Sequence, residues 1–360
     1  MTTLPVPEQS IRVLVVEDSP VVREMLVRAL DVSCDLSVVG TAVNGEEAIE
    51  VALRVKPDII TMDIHMPGMN GIEATRHIME THPVPIIVLS GSIDPGDASM
   101  IFETLNAGAV AFIAPPAGLG HPEHEEGVRK LVQMVRLMSE VKVVRRWPRQ
   151  KQASLRRMPD RAVTLPAKIS LVALGASTGG PIVLQSLLSS LPRDFPLPVL
   201  VVQHMSSGFL PGFVEWLSHT SAMPVRLAVD AEILLPSRVY VAPDGFQMKV
   251  VRGGKIALVR DITQKDGCPS VSFLFRSLVE VYGKTVVAGL LTGMGRDGAA
   301  ELKLLRENGA ITFAQDKESA VVHGMPGEAI RLGGAAFVLN PEEMVTFLVE
   351  LAINKTLRKT

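Results

Sequence analysis

Apolar runs of strand length alternate with helically spaced apolar residues through the N-terminal half of the chain. Arg12–Val16, Ser37–Ala42, Asp58–Met62, Ile86–Leu89 and Ala109–Ile113 read as strands. After the first of these, Val22, Met25, Leu26, Ala29 and Leu30 fall on one face of a helix. Gly45–Arg54 predicts another helix. A closing helix from about His121 carries Val128, Leu131, Val132, Val135, Leu137 and Met138. Strands alternating with helices imply a parallel sheet covered on both faces.

The periodicity then breaks. Between Val144 and Pro166, seven basic residues (Arg145, Arg146, Arg149, Lys151, Arg156, Arg157, Arg161) crowd a stretch interrupted by Pro148 and Pro159. Like charges without apolar periodicity read as a solvated linker, with a docking surface for an acidic partner as the other reading. Alternation resumes near Ala167. Strand-like runs follow at Ile169–Leu174, Val199–Gln203, Arg238–Ala242, Thr285–Leu291, Ala310–Ala314 and Ala336–Leu339, with helices between them and a last helix over Glu342–Leu351. The expected organisation is an α/β domain at 11–143, a linker at 144–166 and a second α/β domain at 167–352, each domain a doubly wound parallel sheet.

Composition narrows the function classes. The 360 residues suffice for two domains with cores of their own. Hydrophobic residues make up 47% and the formal net charge is −2, so nothing pulls the whole chain toward nucleic acid or a membrane. No apolar run reaches the roughly 18 residues of a membrane span. The first ten residues lack the basic-then-apolar build of a signal peptide, so a cytoplasmic protein is expected. Cys34 and Cys268 lie in different halves and indicate neither a disulfide framework nor a cysteine metal site. The second half has no helix-turn-helix pattern, which argues against a transcriptional regulator.

Three acids end apolar strands in the first half: Glu17 and Asp18 after the first strand, Asp63 after the third. In an open parallel sheet the C-terminal strand ends line the functional crevice, so these carboxylates are expected to converge. Convergence is unfavourable without a cation, and oxygen-only ligands suit Mg²⁺. A carboxylate beside Mg²⁺ can accept a phosphoryl group, which marks Asp63 within Met62–Gly71. Residues 11–120 resemble the receiver domain of two-component response regulators. The resemblance implies a flavodoxin-like fold, Asp63 as phosphoacceptor, and Glu17, Asp18, Asp63 and the His65 carbonyl as Mg²⁺ ligands. It also implies Ser90 and Phe112 as switch residues. The family expects a lysine where this chain has Pro115, ahead of Pro116. Its ammonium would have paired with the phosphoryl group, so phosphorylation is expected to switch this chain less strongly.

In the second half, Leu171–Gly180 is an apolar run that ends in Gly175-x-Ser177-x-Gly179. Pro181 and the spacing of Ile182, Leu184, Leu187, Leu188 and Leu191 then start a helix. A serine on such a turn is lifted clear of the sheet beside backbone N–H groups able to stabilise an oxyanion. A phosphate-binding turn looks similar, although the spacing does not fit Gly-x-Gly-x-x-Gly. His204 follows the strand Val199–Gln203, where it is placed as a general base. Asp297 follows Thr285–Leu291 through a glycine-rich turn, either as a helix N-cap or as the acid that orients the histidine. The order serine, histidine, acid differs from the serine, acid, histidine of α/β-hydrolases.

Residues 168–352 resemble the catalytic domain of chemotaxis protein-glutamate methylesterases. The matching stretches include Gly175–Gly180, Gln203-His204-Met205, Pro269-Ser-Val271, Leu291–Ala299, Ala314-Gln-Asp316, Gly324-Met-Pro326 and Glu328-Ala-Ile330. The resemblance implies a Rossmann-like α/β esterase domain in which Ser177 is the nucleophile, His204 the base and Asp297 its orienter. It places oxyanion stabilisation at the backbone of Thr178 and Met294. Implied partners are methyl-accepting chemotaxis receptors as substrate and a chemotaxis histidine kinase as phosphodonor. The esterase reaction needs no cofactor, and glutamine deamidation is the expected second activity. Ser206, Gln247 and Ser272 depart from the family's usual proline, histidine and aspartate. A catalytically inactive scaffold module of a chemosensory array is the alternative.

Other candidates carry less. His121, His124, Glu125 and Glu126 are accounted for by a helix start with Pro122 just inside it. Cys268 has no local histidine, His323 reads as structural, and the 16 methionines read as core filler.

Overall fold

The computed structural model describes residues 10–91, 95–141, 143, 169–260 and 268–357, in two compact units that divide at residue 149/150. The basic linker expected at 144–166 lies outside the described residues.

The first unit runs β1 (Ile11–Val16), α1 (Pro20–Asp31), β2 (Leu36–Ala42), α2 (Gly45–Val55), β3 (Ile59–Asp63), α3 (Gly71–Thr81), β4 (Ile86–Leu89), α4 (Pro95–Ala107), β5 (Ala111–Ile113) and α5 (His124–Ser139). Its strands lie in the order β2-β1-β3-β4-β5, and every pairing is parallel. Central strands covered by helices on both faces have no solvent side, so Val13–Val16 and Ile86–Leu89 are continuously apolar and buried. Helix starts are fixed locally. Ser19, Asn44 and Asn70 each accept a hydrogen bond from the first turn of α1, α2 and α3. Helix α5 starts later than His121. His121 and His124 form a turn, with the His124 N–H donating to the His121 carbonyl at 3.0 Å, and Pro122 lies outside the helix, ahead of the cap position Glu123.

The second unit runs β6 (Leu171–Ala176), α6 (Gly180–Ser190), β7 (Val199–Gln203), α7 (Leu210–Thr220), β8 (Val225–Leu227), β9 (Val239–Val241), β10 (Phe246–Val251), β11 (Lys255–Arg260), α8 (Val271–Val281), β12 (Val286–Leu290), α9 (Ala299–Glu307), β13 (Ile311–Gln315), α10 (Met325–Arg331), β14 (Phe337–Leu339) and α11 (Pro341–Leu357). Seven strands form one parallel sheet in the order β14-β13-β12-β6-β7-β9-β8. The chain leaves β6 toward β7 and later returns to the other side of β6 with β12. The strand order therefore reverses at β6–β12, which is where open α/β sheets carry their sites. Two features go beyond the doubly wound expectation: the short edge strand β8 and the antiparallel hairpin β10–β11. The hairpin turns through Gly253 and Gly254, at φ +87° and +71°. Its Met248, Val250 and Ile256 join Leu274, Phe275 and Leu278 of α8 and Leu171, Ala173 and Val202 of the sheet in one buried core. The hairpin thus packs against α8 and holds its N-terminus beside the sheet.

Candidate active site

Three strand ends of the second unit converge on one place. Ser177 follows β6, His204 follows β7 and Asp297 lies in the turn after β12. The Ser177 turn is held against the β12 turn by its own N–H, which donates to the Thr292 carbonyl at 3.0 Å. Gly293 completes this approach. A Cβ on it would lie 2.7 Å from the Ser177 Cβ, so only glycine lets the two turns meet. Thr292 is buried, and its hydroxyl donates to the Thr178 carbonyl at 2.9 Å and accepts from the Val322 N–H at 2.9 Å.

His204 Nε2 lies 2.9 Å from Asp297 Oδ2. Because that nitrogen faces an acceptor it carries the hydrogen, which leaves Nδ1 as the basic nitrogen. Asp297 is not the cap of the helix that follows it, since Gly298 holds the cap position of α9. Its Oδ2 also accepts from the Val271 N–H at 2.7 Å, and its Oδ1 accepts from the Ser272 N–H at 2.9 Å and the Ser270 hydroxyl at 3.0 Å. These donors form the N-terminus of α8, where backbone N–H groups and the helix dipole favour an anion. Burial alone would raise the Asp297 pKa. The hydrogen bonds from His204 and Ser272 outweigh burial and hold the carboxyl well below its usual range. Asp297 is therefore held in its ionised form at neutral pH.

Ser177 Oγ has no hydrogen-bond partner among the described residues; the geometry brings histidine and aspartate into contact, and leaves the serine adjacent on its turn. The N–H groups of Thr178 and Met294 are likewise unpaired among the described residues, and so are open to a ligand.

In the first unit, one carboxylate oxygen from each of Glu17, Asp18 and Asp63 lies within 4.8 Å of the others. Glu17 is buried, and burial together with the neighbouring Asp63 and Asp18 charges pushes its pKa up to about 7. Burial also raises Asp63, opposed by N–H groups of His65 and Ile64. Burial first and the neighbouring like charges second disfavour ionisation here, and a divalent cation would relieve the repulsion among the three carboxylates. Ser90 is buried with its hydroxyl unpaired among the described residues, and Phe112 packs edge-on against Phe102 at 6.0 Å.

Residues 172–348 match the family model for CheB methylesterase, and residues 13–121 match that for the response regulator receiver domain. A protein of Nitrosospira multiformis named protein-glutamate methylesterase/protein-glutamine glutaminase is 55% identical over 349 residues, covering 96% of this chain and 98% of that one. The chain belongs to that family. A relative of the same name in Geobacter metallireducens is 52% identical, covering 96% of this chain and all of its own length. The crystallised catalytic domain of CheB methylesterase from Thermotoga maritima shares 36% identity at a TM-score of 0.49, covering 51% of this chain and 99% of that one.

Two of the departures from the methylesterase pattern, Gln247 and Ser272, lie close to Asp297. Gln247 on β10 is buried, and its Oε1 accepts from the Ser270 N–H at 2.8 Å, directly behind Asp297. Ser272 donates to Glu301 at 2.6 Å and accepts from the Gly298 N–H at 2.8 Å, so it ties α8 to the residue after Asp297. Glu301 is in turn paired with Arg276 at 2.7 Å. The ring of Pro115 lies beside Gly91, next to Ser90; a Cβ on Gly91 would meet it at 3.4 Å. The motifs of the sequence pointed to neither Thr292 nor Ser270. Thr292 sits inside a matched motif, but its hydroxyl is identified only through partners in the turn after β6 and in the turn before α10. His124 Nδ1 contacts the Ala117 carbonyl at 2.6 Å and serves structure. His323 packs onto the Gln315 carbonyl at 3.2 Å.

Proposed function

We propose that this chain hydrolyses glutamate side-chain methyl esters, and deamidates glutamines, on methyl-accepting chemotaxis receptors in the cytoplasm. The observation that carries this reading is the His204–Asp297 pair at 2.9 Å beside the Ser177 turn, at the point where the strand order reverses.

Ser177 Oγ attacks the ester carbonyl carbon while His204 Nδ1 takes its proton. The carbonyl oxygen becomes an oxyanion next to the free N–H groups of Thr178 and Met294. Asp297 holds the ring and stabilises the imidazolium. As the tetrahedral species collapses, methanol leaves with the proton from His204, and Ser177 is acylated. Water then attacks the acyl carbon and gives a proton to His204. Collapse releases the glutamate carboxylate, and His204 returns the proton to Ser177. With glutamine, ammonia leaves in place of methanol. The esterase step draws on no cofactor. A scaffold without turnover is not favoured, since a partly buried aspartate with four donors around it, one of them the histidine ring, serves no docking role.

The first unit acts as the regulatory receiver, phosphorylated on Asp63 by a chemotaxis histidine kinase, with Ser90 and Phe112 as its switch residues. Glu17, Asp18, Asp63 and the His65 carbonyl would hold Mg²⁺, which supplies charge neutralisation for phosphoryl transfer. The test is methanol release from methylated receptor by the full chain. Ser177→Ala is expected to abolish it and to abolish labelling by a fluorophosphonate; turnover equal to wild type in that variant would refute the assignment.

A further inference from the structure

Gln203 ends β7 and is 1% exposed. Across the sheet it pairs with Ala176, the last residue of β6. Ser177 and His204 are the residues just beyond that rung on the two neighbouring strands. The backbone ladder reaches only as far as the His204 N–H, which donates to the Ala176 carbonyl at 2.9 Å. Past that point the Gln203 side chain takes over. Its Nε2 donates to the Ser177 carbonyl at 2.9 Å and to the His204 carbonyl at 2.7 Å. Both partners are acceptors, so only the amide NH₂ can face them.

The other end of this amide is anomalous. Oε1 is buried and has no hydrogen-bond partner among the described residues. An unpaired buried carbonyl oxygen is unfavourable, and leucine or methionine would fill similar volume without one. Room for that oxygen comes from Gly180, the first residue of α6, where a Cβ would sit 2.1 Å from it. The side chain thus carries an unsatisfied atom in a space kept open by glycine, and its nitrogen joins the peptides of the two reacting residues.

We propose that Gln203 is a positioning residue that sets the separation of nucleophile and base by tying the Ser177 peptide to the His204 peptide through one nitrogen. It touches neither substrate nor reacting atoms. The inference rests on the reading of Ser177 and His204 as nucleophile and base. Proton transfer from Ser177 to His204 requires hydrogen-bond distance, and small displacements of such pairs are costly in rate.

The experiment uses the full chain in wild-type, Gln203→Met, Gln203→Glu and Gly180→Ala forms. Thermal midpoint, kcat and KM for methanol release, and the rate of Ser177 labelling by a fluorophosphonate are measured for each. Folded Gln203→Met is expected to lose about 10²-fold in kcat, with labelling slowed by about tenfold or more. KM should stay within about twofold, because substrate contacts are untouched. For Gln203→Glu, the ratio of its rate to that of wild type should fall as pH rises. Protonated, it keeps one donor; ionised, it turns negative charge toward two carbonyl oxygens. A Cβ at Gly180 would meet the Gln203 oxygen at 2.1 Å and the Ala176 Cβ at 2.8 Å, so Gly180→Ala disturbs both and supports the reading only by showing the same kcat-only loss. If Gln203→Met does not fold, Gln203→Glu decides through the pH dependence of its rate relative to wild type. Labelling of folded Gln203→Met at the wild-type rate, or a kcat loss that only tracks the unfolded fraction, overturns the clamp alone. A wild-type chain that is not labelled at Ser177 overturns the nucleophile reading, and the clamp with it.

Discussion

Asp297 has four hydrogen-bond donors around one carboxylate, and that concentration makes it the most informative residue for testing the site. Asp297→Asn keeps the size but supplies an amide where His204 Nε2–H needs an acceptor, which favours the wrong tautomer. A drop in kcat of about 10³–10⁴-fold is expected, as for the corresponding change in serine-protease triads, measured as methanol release at saturating substrate. Glu17 gives a prediction with a sign. Its pKa is near 7 in the folded chain against 4.5 as a free side chain, so the folded state holds the proton more tightly than the unfolded. Without a cation, stability is therefore lost as pH rises from about 4.5 through 7. Mg²⁺ removes the repulsion, so added Mg²⁺ should raise the receiver's melting temperature by on the order of 5 °C at pH 8 and much less at pH 5.5. Equal shifts at both pH values would contradict the metal reading. At this scale the sequence was most legible where a polar residue ends an apolar strand: Asp63, Ser177 and His204 all do. Gln203 also ends an apolar strand, but its contacts depend on register with β6, which no spacing within one segment encodes.

The element that matters most for the esterase site is α8, because its first turn is the seat of Asp297. Ser270 caps this helix, accepting from the Phe273 N–H at 3.4 Å while donating to Asp297. Ser270→Ala should destabilise the unit by about 1 kcal/mol, the ordinary worth of a cap. It should also lower kcat several-fold, since Asp297 keeps three donors. Chemical denaturation and steady-state kinetics on the same preparation separate the two effects, and an unchanged kcat would place the Ser270 hydroxyl outside the Asp297 support. The alternating β/α order was readable from apolar periodicity, and the strand ends fell within one or two residues of their places. The β10–β11 hairpin was not read. Its buried positions Gln247, Met248 and Val250 break the simple alternation of a half-exposed strand, because one side packs on α8 and Gln247 is turned inward to Ser270. The three-residue β8 lies on the sheet edge, too short to show a period.

For the whole molecule the measurable quantity is the ratio of esterase rates with and without phosphorylation. Pro115 offers no ammonium that could pair with a phosphoryl group on Asp63, so a smaller free-energy difference between switch states is expected; 1.4 kcal/mol corresponds to about tenfold in population. The full chain with phosphodonor and Mg²⁺ should still outpace the untreated chain, Asp63→Asn should not respond, and Pro115→Lys should enlarge the ratio. An unchanged ratio in Pro115→Lys would remove the proline from the account. The position of β6 at the centre of its sheet has another consequence, which belongs to synthesis. Strand β7 begins at Val199, soon after β6, but β12 begins only at Val286. A chain emerging from the ribosome therefore carries Leu171–Ala176 with one edge unpaired until more than half of the domain has followed. Such an apolar edge is a template for foreign strands, and pairing across so long a loop is slow. Closing β12 onto β6 protects that edge and, in the same step, delivers Asp297 to His204. The first moment at which this domain could hydrolyse an ester is thus also the moment at which both edges of its central strand are covered.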